Sequence, residues 1–246
     1  MADALRDPDL TPLLRSCARE DLQNLLEYVT KARTNTYGSA TKNLSYADPQ
    51  HQLVDDIVYE IRTFGGNTIA NKVRGTGVAY AEVVRDVAAQ LKVKSAKDAS
   101  VEQRELAVLL KILDESVKKM SPDERGVLED EFRKAGAKNV DLGTGAPVAA
   151  LLALAGVHFT GFLAYKTAAI VANAIAKVLL QRGLSLGANA ALMRTMGIVA
   201  GPVGWAISGL WTAADVTGPA YRVTMPCVCH VAFLRQKRNL GDLANA

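Results

Sequence analysis

Two long stretches without a charged residue constrain the fold of this chain more than any other feature. Leu142 to Tyr165 is a run of 24 residues, and Thr195 to Ala214 a run of 20, and neither contains Lys, Arg, Asp or Glu. A helix of about 20 residues spans about 30 Å, the thickness of the hydrocarbon core of a bilayer. Each run is therefore long enough either to enter a membrane or to form a buried core helix.

Charge divides the chain into two halves. Residues 146–246 hold eight bases and two acids, for a net charge of +6, whereas residues 1–145 hold 21 bases and 23 acids, for −2. Such a shift in composition marks a boundary. We therefore predict a polar helical region over residues 1–135, a Gly-rich linker over 136–147, and an apolar helical region with a basic tail over 148–246.

Apolar residues recur at helical spacing through the first half. Leu53, Ile57 and Ile61 form one stripe, and Tyr80, Val84 and Val87 form another. The strings beginning at Ser100 and Ser121 match capping boxes, in which a serine caps a helix and the residue three positions later returns the hydrogen bond. The sequence thus predicts an all-α fold, a helical bundle whose second half contains an apolar, Ala/Gly-rich helical hairpin.

Three interpretations of the hairpin stay open: a permanent pair of membrane spans, the core of a soluble bundle, and a soluble hairpin that docks on or enters a membrane conditionally. Permanent spans would leave positive charge on both sides of the membrane, so the positive-inside rule gives them no orientation. Under the membrane interpretations we expect apolar contacts from Leu154, Phe159, Phe162, Ile198, Trp205, Ile207, Leu210 and Trp211. Lys166, Lys177, Arg235, Lys237 and Arg238 would then contact lipid headgroups.

Glycines add two expectations for the same region. Gly197 and Gly201 form a GxxxG pattern, which allows close approach of helix backbones in lipid. Pro202 follows directly and is expected to break or kink the second run, because proline lacks the backbone N–H of a helix interior.

Motifs for catalysis or cofactor binding are weak. The strings Gly75-Thr76-Gly77 and Gly143-Thr144-Gly145 do not extend to a phosphate-binding loop and are interpreted as turns. Cys227, Cys229 and His230 are spaced too tightly for a zinc site. The two cysteines are expected to be buried, reduced thiols. The carboxylates at 55, 56 and 60 are expected to be solvated. We predict no enzymatic activity, no cofactor and no metal. We also predict no nucleic-acid binding, because aromatic residues do not alternate with the basic residues of the chain.

Several strings resemble the uncharacterised bacterial YaaW family. They are Ile61-Arg62-Thr63-Phe64-Gly65-Gly66-Asn67, Gly183-Leu184-Ser185-Leu186, Gly201-Pro202-x-Gly204-Trp205-Ala206 and Gly218-Pro219-Ala220-Tyr221-Arg222. The resemblance covers nearly the whole chain. It implies a distant grouping with ubiquinol–cytochrome c assembly chaperones, which are helical proteins that handle a membrane subunit, and it supplies no catalytic residue.

The favoured hypothesis is a non-enzymatic protein whose hairpin docks on or inserts into a bilayer, with homo-oligomerisation and pore formation left open. The alternatives are a soluble chaperone or binding module for a membrane-protein client, and an enzyme with an unrecognised site. The polar start of the chain lacks the pattern of a signal peptide. We therefore expect a cytoplasmic protein that associates peripherally or conditionally with the inner membrane.

Overall fold

The computed structural model describes residues 7–35, 49–64, 77–94, 96–134, 136–138, 140–154, 159–184, 190–214 and 221–244. Over these ranges the chain forms ten α-helices and no β-strand, which confirms the predicted all-α class. The helices are α1 (Thr11–Ser16), α2 (Arg19–Asn35), α3 (Gln50–Phe64), α4 (Tyr80–Gln90), α5 (Val101–Val117), α6 (Pro122–Lys134), α7 (Val148–Leu154), α8 (Gly161–Leu180), α9 (Ala190–Ala214) and α10 (Tyr221–Ala244).

The helices of the first half form as their sequence predicts. The α3 stripe is fully buried at Leu53, Ile57 and Ile61. Both capping boxes are present: the Ser100 hydroxyl accepts from the Gln103 backbone N–H, and the Ser121 hydroxyl accepts from that of Glu124. Each cap satisfies backbone donors that the first turn of a helix leaves unpaired.

The first charge-free run does not form one helix, so the prediction of a bilayer-length segment over Leu142 to Tyr165 is wrong. It contains a 3₁₀ turn at Leu142–Thr144, the short helix α7 and the beginning of α8. Gly145 and Gly161 have φ values of 74° and 57°, and a right-handed helix cannot continue through that left-handed conformation. Gly143-Thr144-Gly145 is a turn, as predicted, and the Asp141 carboxylate accepts from the Gly143 N–H at 2.7 Å.

The apolar hairpin consists of α8 and α9, which follow one another in the chain and pack together. Among the described residues, α8 is the one helix long and apolar enough to cross a membrane, and most of it is buried inside the protein. The second charge-free run lies within α9, which continues through Pro202 without a break. The carbonyl that Pro202 leaves without its helical donor is that of Ile198, a partly exposed residue within reach of water.

The centre of the fold is α10, which packs against α2, α3, α4, α5 and α8. Its side chains are buried around the whole helix, which is typical of a central core helix. The basic residues at 235, 237 and 238, which the sequence places in a basic tail, belong to this helix. Arg235 lies within α10 and is only 9% exposed.

The two halves of the chain share one hydrophobic core. Ion pairs also join them: Lys166 pairs with Glu131, Arg182 with Glu27, Arg235 with Glu105, and Lys237 with Asp21. The acids of the first half thus neutralise bases of the second half. The predicted boundary at 136–147 marks the change in composition and, as a domain boundary, stays a prediction.

Candidate functional site

The exposed large hydrophobic side chains of the described chain lie on two helices only. They are Phe162 and Val178 on α8, and Ile198 and Trp205 on α9. Trp205 is the most exposed, at 74%. Phe162 lies 16 residues before Val178, about 24 Å along the axis of α8, so it does not belong to the same surface.

The outer side of α9 forms a continuous uncharged surface, which we call the α9 face. It consists of Gly197, Ile198, Gly201, Trp205, Ser208 and Gly209, spaced three or four residues apart as on one side of a helix. An added Cβ at Gly197 or Gly201 would meet no atom within 4 Å. Both glycines of the GxxxG pattern therefore face outward and contact no other helix among the residues that the structure describes.

The inner side of α9 holds this face in place. Val203, Ala206 and Ile207 are buried, and α9 packs against α5, α6 and α8. Gly204 sits against α8, where an added Cβ would lie 3.1 Å from the Val178 Cγ2 atom. The absence of a side chain at Gly204 thus lets the two helices approach closely.

An open groove of about 550 Å³ runs beside Trp205. Its walls are apolar or small, from Val178, Ala200, Gly201 and Gly204, and one cation lines it, Lys119. The Lys119 ammonium donates to the Trp205 carbonyl oxygen at 3.3 Å. Lys119 lies between α5 and α6, so the first half of the chain supplies the charge of a groove built by the second.

The residues predicted to contact lipid are distributed unevenly. Trp205, Ile198 and Phe162 are exposed, whereas Phe159 and Leu210 are partly buried against the core. Ile207 is completely buried, because it lies on the inner side of α9, and in this folded state it does not reach a membrane. The side chains of Leu154 and Trp211 lie outside the described residues.

Most of the predicted headgroup contacts have partners within the protein. Lys166 is 8% exposed, pairs with Glu131 and lies 4.7 Å from the Phe162 ring centroid. Arg235 pairs with Glu105, and Lys237 contacts the Asp21 carboxylate at 2.7 Å. Lys177 and Lys237 are exposed and Arg238 is partly exposed, so these three predicted headgroup contacts lie at the surface, although Lys237 pairs with Asp21.

Arg235 belongs to a buried polar cluster that the sequence did not reveal. Its Nε donates to Glu105 at 2.7 Å, and the Tyr80 hydroxyl donates to the same carboxylate at 2.8 Å. Burial raises the pKa of Glu105, although the hydrogen bonds from Arg235 and Tyr80 oppose that shift. The cluster joins α4, α5 and α10 and lies in the interior, so its geometry serves the fold.

Cys227, Cys229 and His230 are buried, as predicted. Burial raises the pKa of both thiols, which keeps them protonated and unreactive. Burial also lowers the pKa of His230 to about 4. The hydrogen bond between its Nε2 and the Asp21 carbonyl oxygen, at 3.1 Å, opposes that shift. Within the described residues, no group of three or more His, Cys, Asp or Glu side chains is arranged to hold a metal ion.

The carboxylates of α3 differ from one another. Asp55 pairs with Arg15 at 2.9 Å, near the surface. Glu60 is only 5% exposed, so the prediction that all three are solvated is wrong for this residue. The reason is that α1, α2, α4 and α10 all pack against α3 and cover more than its apolar stripe. The polar residues Asn67, Asn71 and His158 lie outside the described residues.

Sequence reasoning missed Lys119 and Val178 as parts of the groove. Lys119 is 86 positions from Trp205 in the chain, and no local pattern connects them. The only sequence signal was the glycine content of α9, since Gly201, Gly204 and Gly209 leave room beside the indole. Exposure could not be read from composition, because buried and exposed apolar helices have similar residues.

Similar proteins span nearly the full length of the chain. A UPF0174 protein of Helicobacter pylori strain J99 is 38% identical over 236 residues, covering 94% of this chain and 91% of that protein. Another, from strain 26695, is 32% identical over 89% of this chain and 97% of its own length. The UPF0174 protein YaaW of Escherichia coli K12 is 30% identical over 241 residues, which cover 94% of this chain and 95% of that protein. No family model matches the chain, and no solved structure is similar to it.

Proposed function

The chain belongs to the UPF0174 family, which includes YaaW, and we propose that it is a non-enzymatic helical protein that docks on an anionic membrane surface through the α9 face. The names of its relatives state no activity, substrate or partner. The proposal therefore depends on the surface of this chain.

One observation carries it: three of the four exposed large hydrophobic side chains in the described ranges, Val178, Ile198 and Trp205, lie on the α9 face or in the groove beside it. Exposed apolar side chains grouped on one surface are typical of interaction sites. Tryptophan favours the interface between water and lipid, because its ring is apolar and its N–H is polar. Trp205, which is 74% exposed on the same helix face as Ile198 and the two open glycines Gly197 and Gly201, has the chemistry of an interfacial anchor.

Peripheral docking agrees with the packing of α8 better than permanent spanning does. A mostly buried helix of 20 residues passes the same tests of length and apolarity when it is the core helix of a folded protein. Withdrawing α8 would also separate Lys166 from Glu131 and open the shared core. Docking through α9 leaves these contacts intact.

Charge favours an anionic surface. The α9 face carries no acid, and Lys119 lines the groove beside it. Each base near an anionic membrane contributes about 1 kcal/mol of attraction. We accordingly place the protein at the cytoplasmic side of the inner membrane as part of the proposal.

Liposome flotation tests the proposal. We expect the wild type to float with vesicles containing phosphatidylglycerol and the Trp205→Asp variant to bind at least tenfold more weakly, because it loses the apolar anchor and adds a negative charge. Gly126→Asp on α6 is the matched control: it adds the same charge at a helix position with no atom within 4 Å of an added Cβ. It should float like the wild type.

A second candidate is a chaperone or binding module that receives an apolar helix of a membrane-protein client. The outward glycines Gly197 and Gly201 favour it, since small residues let a second helix approach closely. If the wild type does not float with anionic liposomes, membrane docking is wrong. Binding of a detergent-solubilised apolar helical peptide that weakens in Trp205→Asp but not in Gly126→Asp would then support the client-binding role.

A further inference from the structure

We propose that the groove beside Trp205 binds one anionic phospholipid, with its phosphate at Lys119 and an acyl chain against Val178 and Gly201. This inference rests on the proposed membrane function and names the ligand of the same surface. It adds a discrete, saturable site to a surface that could otherwise associate with lipid only by partitioning.

The shape of the groove suits a chain-like apolar ligand. Its volume of about 550 Å³ falls in the roughly 300–1,000 Å³ range of small-molecule sites. Gly201 and Gly204 contribute no side chain to its floor, and the Val178 methyl groups form an apolar wall. A free phosphate or glycerol phosphate would leave this apolar surface uncovered.

The charge of the groove suits a phosphodiester. An ammonium group has three hydrogen-bond donors, and among the described residues the side chain of Lys119 has one hydrogen-bond acceptor, the Trp205 carbonyl oxygen. Gly209 allows the approach, because an added Cβ there would lie 3.2 Å from the Lys119 Nζ atom. The neighbouring Glu115 carboxylate accepts from Lys111 and Lys118 instead, each at 2.8 Å. Lys119 therefore presents its charge to the groove.

The arrangement favours lipid over an acidic peptide. One cation beside the apolar part of the groove matches a ligand with one anionic group and a hydrocarbon chain. An acidic peptide would present several polar backbone groups to walls whose polar side chains are Lys119 and Ser208, and the Ser208 hydroxyl already donates to the Gly204 carbonyl oxygen. The indole of Trp205, at the open edge of the groove, lies where the glycerol region of a bound lipid would be.

The test is titration of the full chain with dihexanoyl phosphatidylglycerol below its micelle concentration. The two tryptophans give two indole N–H signals in an NMR spectrum of ¹⁵N-labelled protein, and Trp211→Phe identifies that of Trp205. We expect a saturable shift of the Trp205 signal. Lys119→Gln should weaken binding about tenfold, because it removes a charge-assisted hydrogen bond. Lys118→Gln, which alters a neighbouring lysine paired with Glu115, should not.

A second pair of variants tests whether an acyl chain occupies the apolar part of the groove. Gly201→Val projects a branched side chain into the groove, occupies part of the space for the acyl chain, and should weaken binding of the lipid at least tenfold. Gly197→Val adds the same side chain to the same helix face outside the groove and should leave binding unchanged.

Three results would overturn the lipid site: no saturable shift, equal affinity for glycerol 3-phosphate, or equal affinity for dihexanoyl phosphatidylcholine. Equal affinity for an acidic peptide would overturn it as well. Flotation of the wild type judges the proposed function separately: a protein that floats but shows no saturable shift docks on membranes without this site.

Discussion

Helices α3 and α9 bury similar apolar stripes and differ in what they turn outward. The outer side of α3 carries charged and polar residues, including Asp55, which pairs with Arg15. The outer side of α9 carries Ile198, Trp205 and glycines, with no charge. The inner stripe of a helix is explained by folding alone, whereas an outer apolar face lowers solubility and calls for another explanation. The α9 face is therefore the surface on which the proposed membrane docking rests.

The largest expected effect separates the two sides of α9. Ala206→Asp places a charge at a position that is 2% exposed and should lower the free energy of unfolding by roughly 3–5 kcal/mol. Gly201→Asp, on the α9 face with open space around it, should change it by less than about 1 kcal/mol. Urea denaturation followed by circular dichroism measures both. Equal losses would mean that the α9 face is covered in solution, and the contrast with α3 would then disappear.

The next effect is a loss of native stability at acid pH, caused by buried His230 of α10, which contacts Asp21 of α2. The unfolded chain binds a proton at His230 below about pH 6.5, whereas the native state does so only near pH 4, so native stability falls as pH falls through that window. The loss should be about 3 kcal/mol at pH 4. His230→Gln keeps a donor for the Asp21 carbonyl and should flatten this dependence.

Glu105 acts in the opposite direction, because its raised pKa favours the native state as pH falls toward its ordinary value of 4.5. The difference between wild type and His230→Gln isolates the histidine. If the two proteins have parallel pH profiles, His230 is not the acid-sensitive contact between α10 and α2.

The smallest effect compares how helices begin in the two halves. Ser100 caps α5 with a hydrogen bond, so Ser100→Ala should cost about 1 kcal/mol. Thr160 occupies the N-cap of α8 without a side-chain hydrogen bond, so Thr160→Ala should cost only a few tenths. Thermal melts of the two variants give the comparison. A larger loss at Thr160 would contradict the view that packing, and not local capping, fixes the beginning of α8.

These contrasts show where sequence reasoning succeeded. Local patterns predicted the stripes of α3 and α4, the capping boxes and the apolar hairpin, because helix period and capping depend on residues a few positions apart. The family resemblance was also confirmed, while the chaperone grouping stays a proposal. The domain boundary and the absence of enzymatic activity likewise stay predictions.

The failures have physical causes as well. Composition cannot detect that Gly145 and Gly161 adopt left-handed conformations, and these interrupt the first charge-free run. The central position of α10 was hidden because its buried side chains include His230, Arg235 and Gln236, which are usually exposed. The groove needs Lys119 beside Trp205, a contact that depends on tertiary packing.

The central helix of this fold is also the last of its described helices in chain order, and that affects synthesis. At roughly 5–20 residues per second, α1 to α9 leave the ribosome seconds before α10 does. During that interval α8 and α2 lack the helix against which they pack, so their apolar sides face water. A message truncated before Tyr221 would yield a chain that cannot complete its core. Such a chain should expose apolar helices and be cleaved by added protease faster than the full chain.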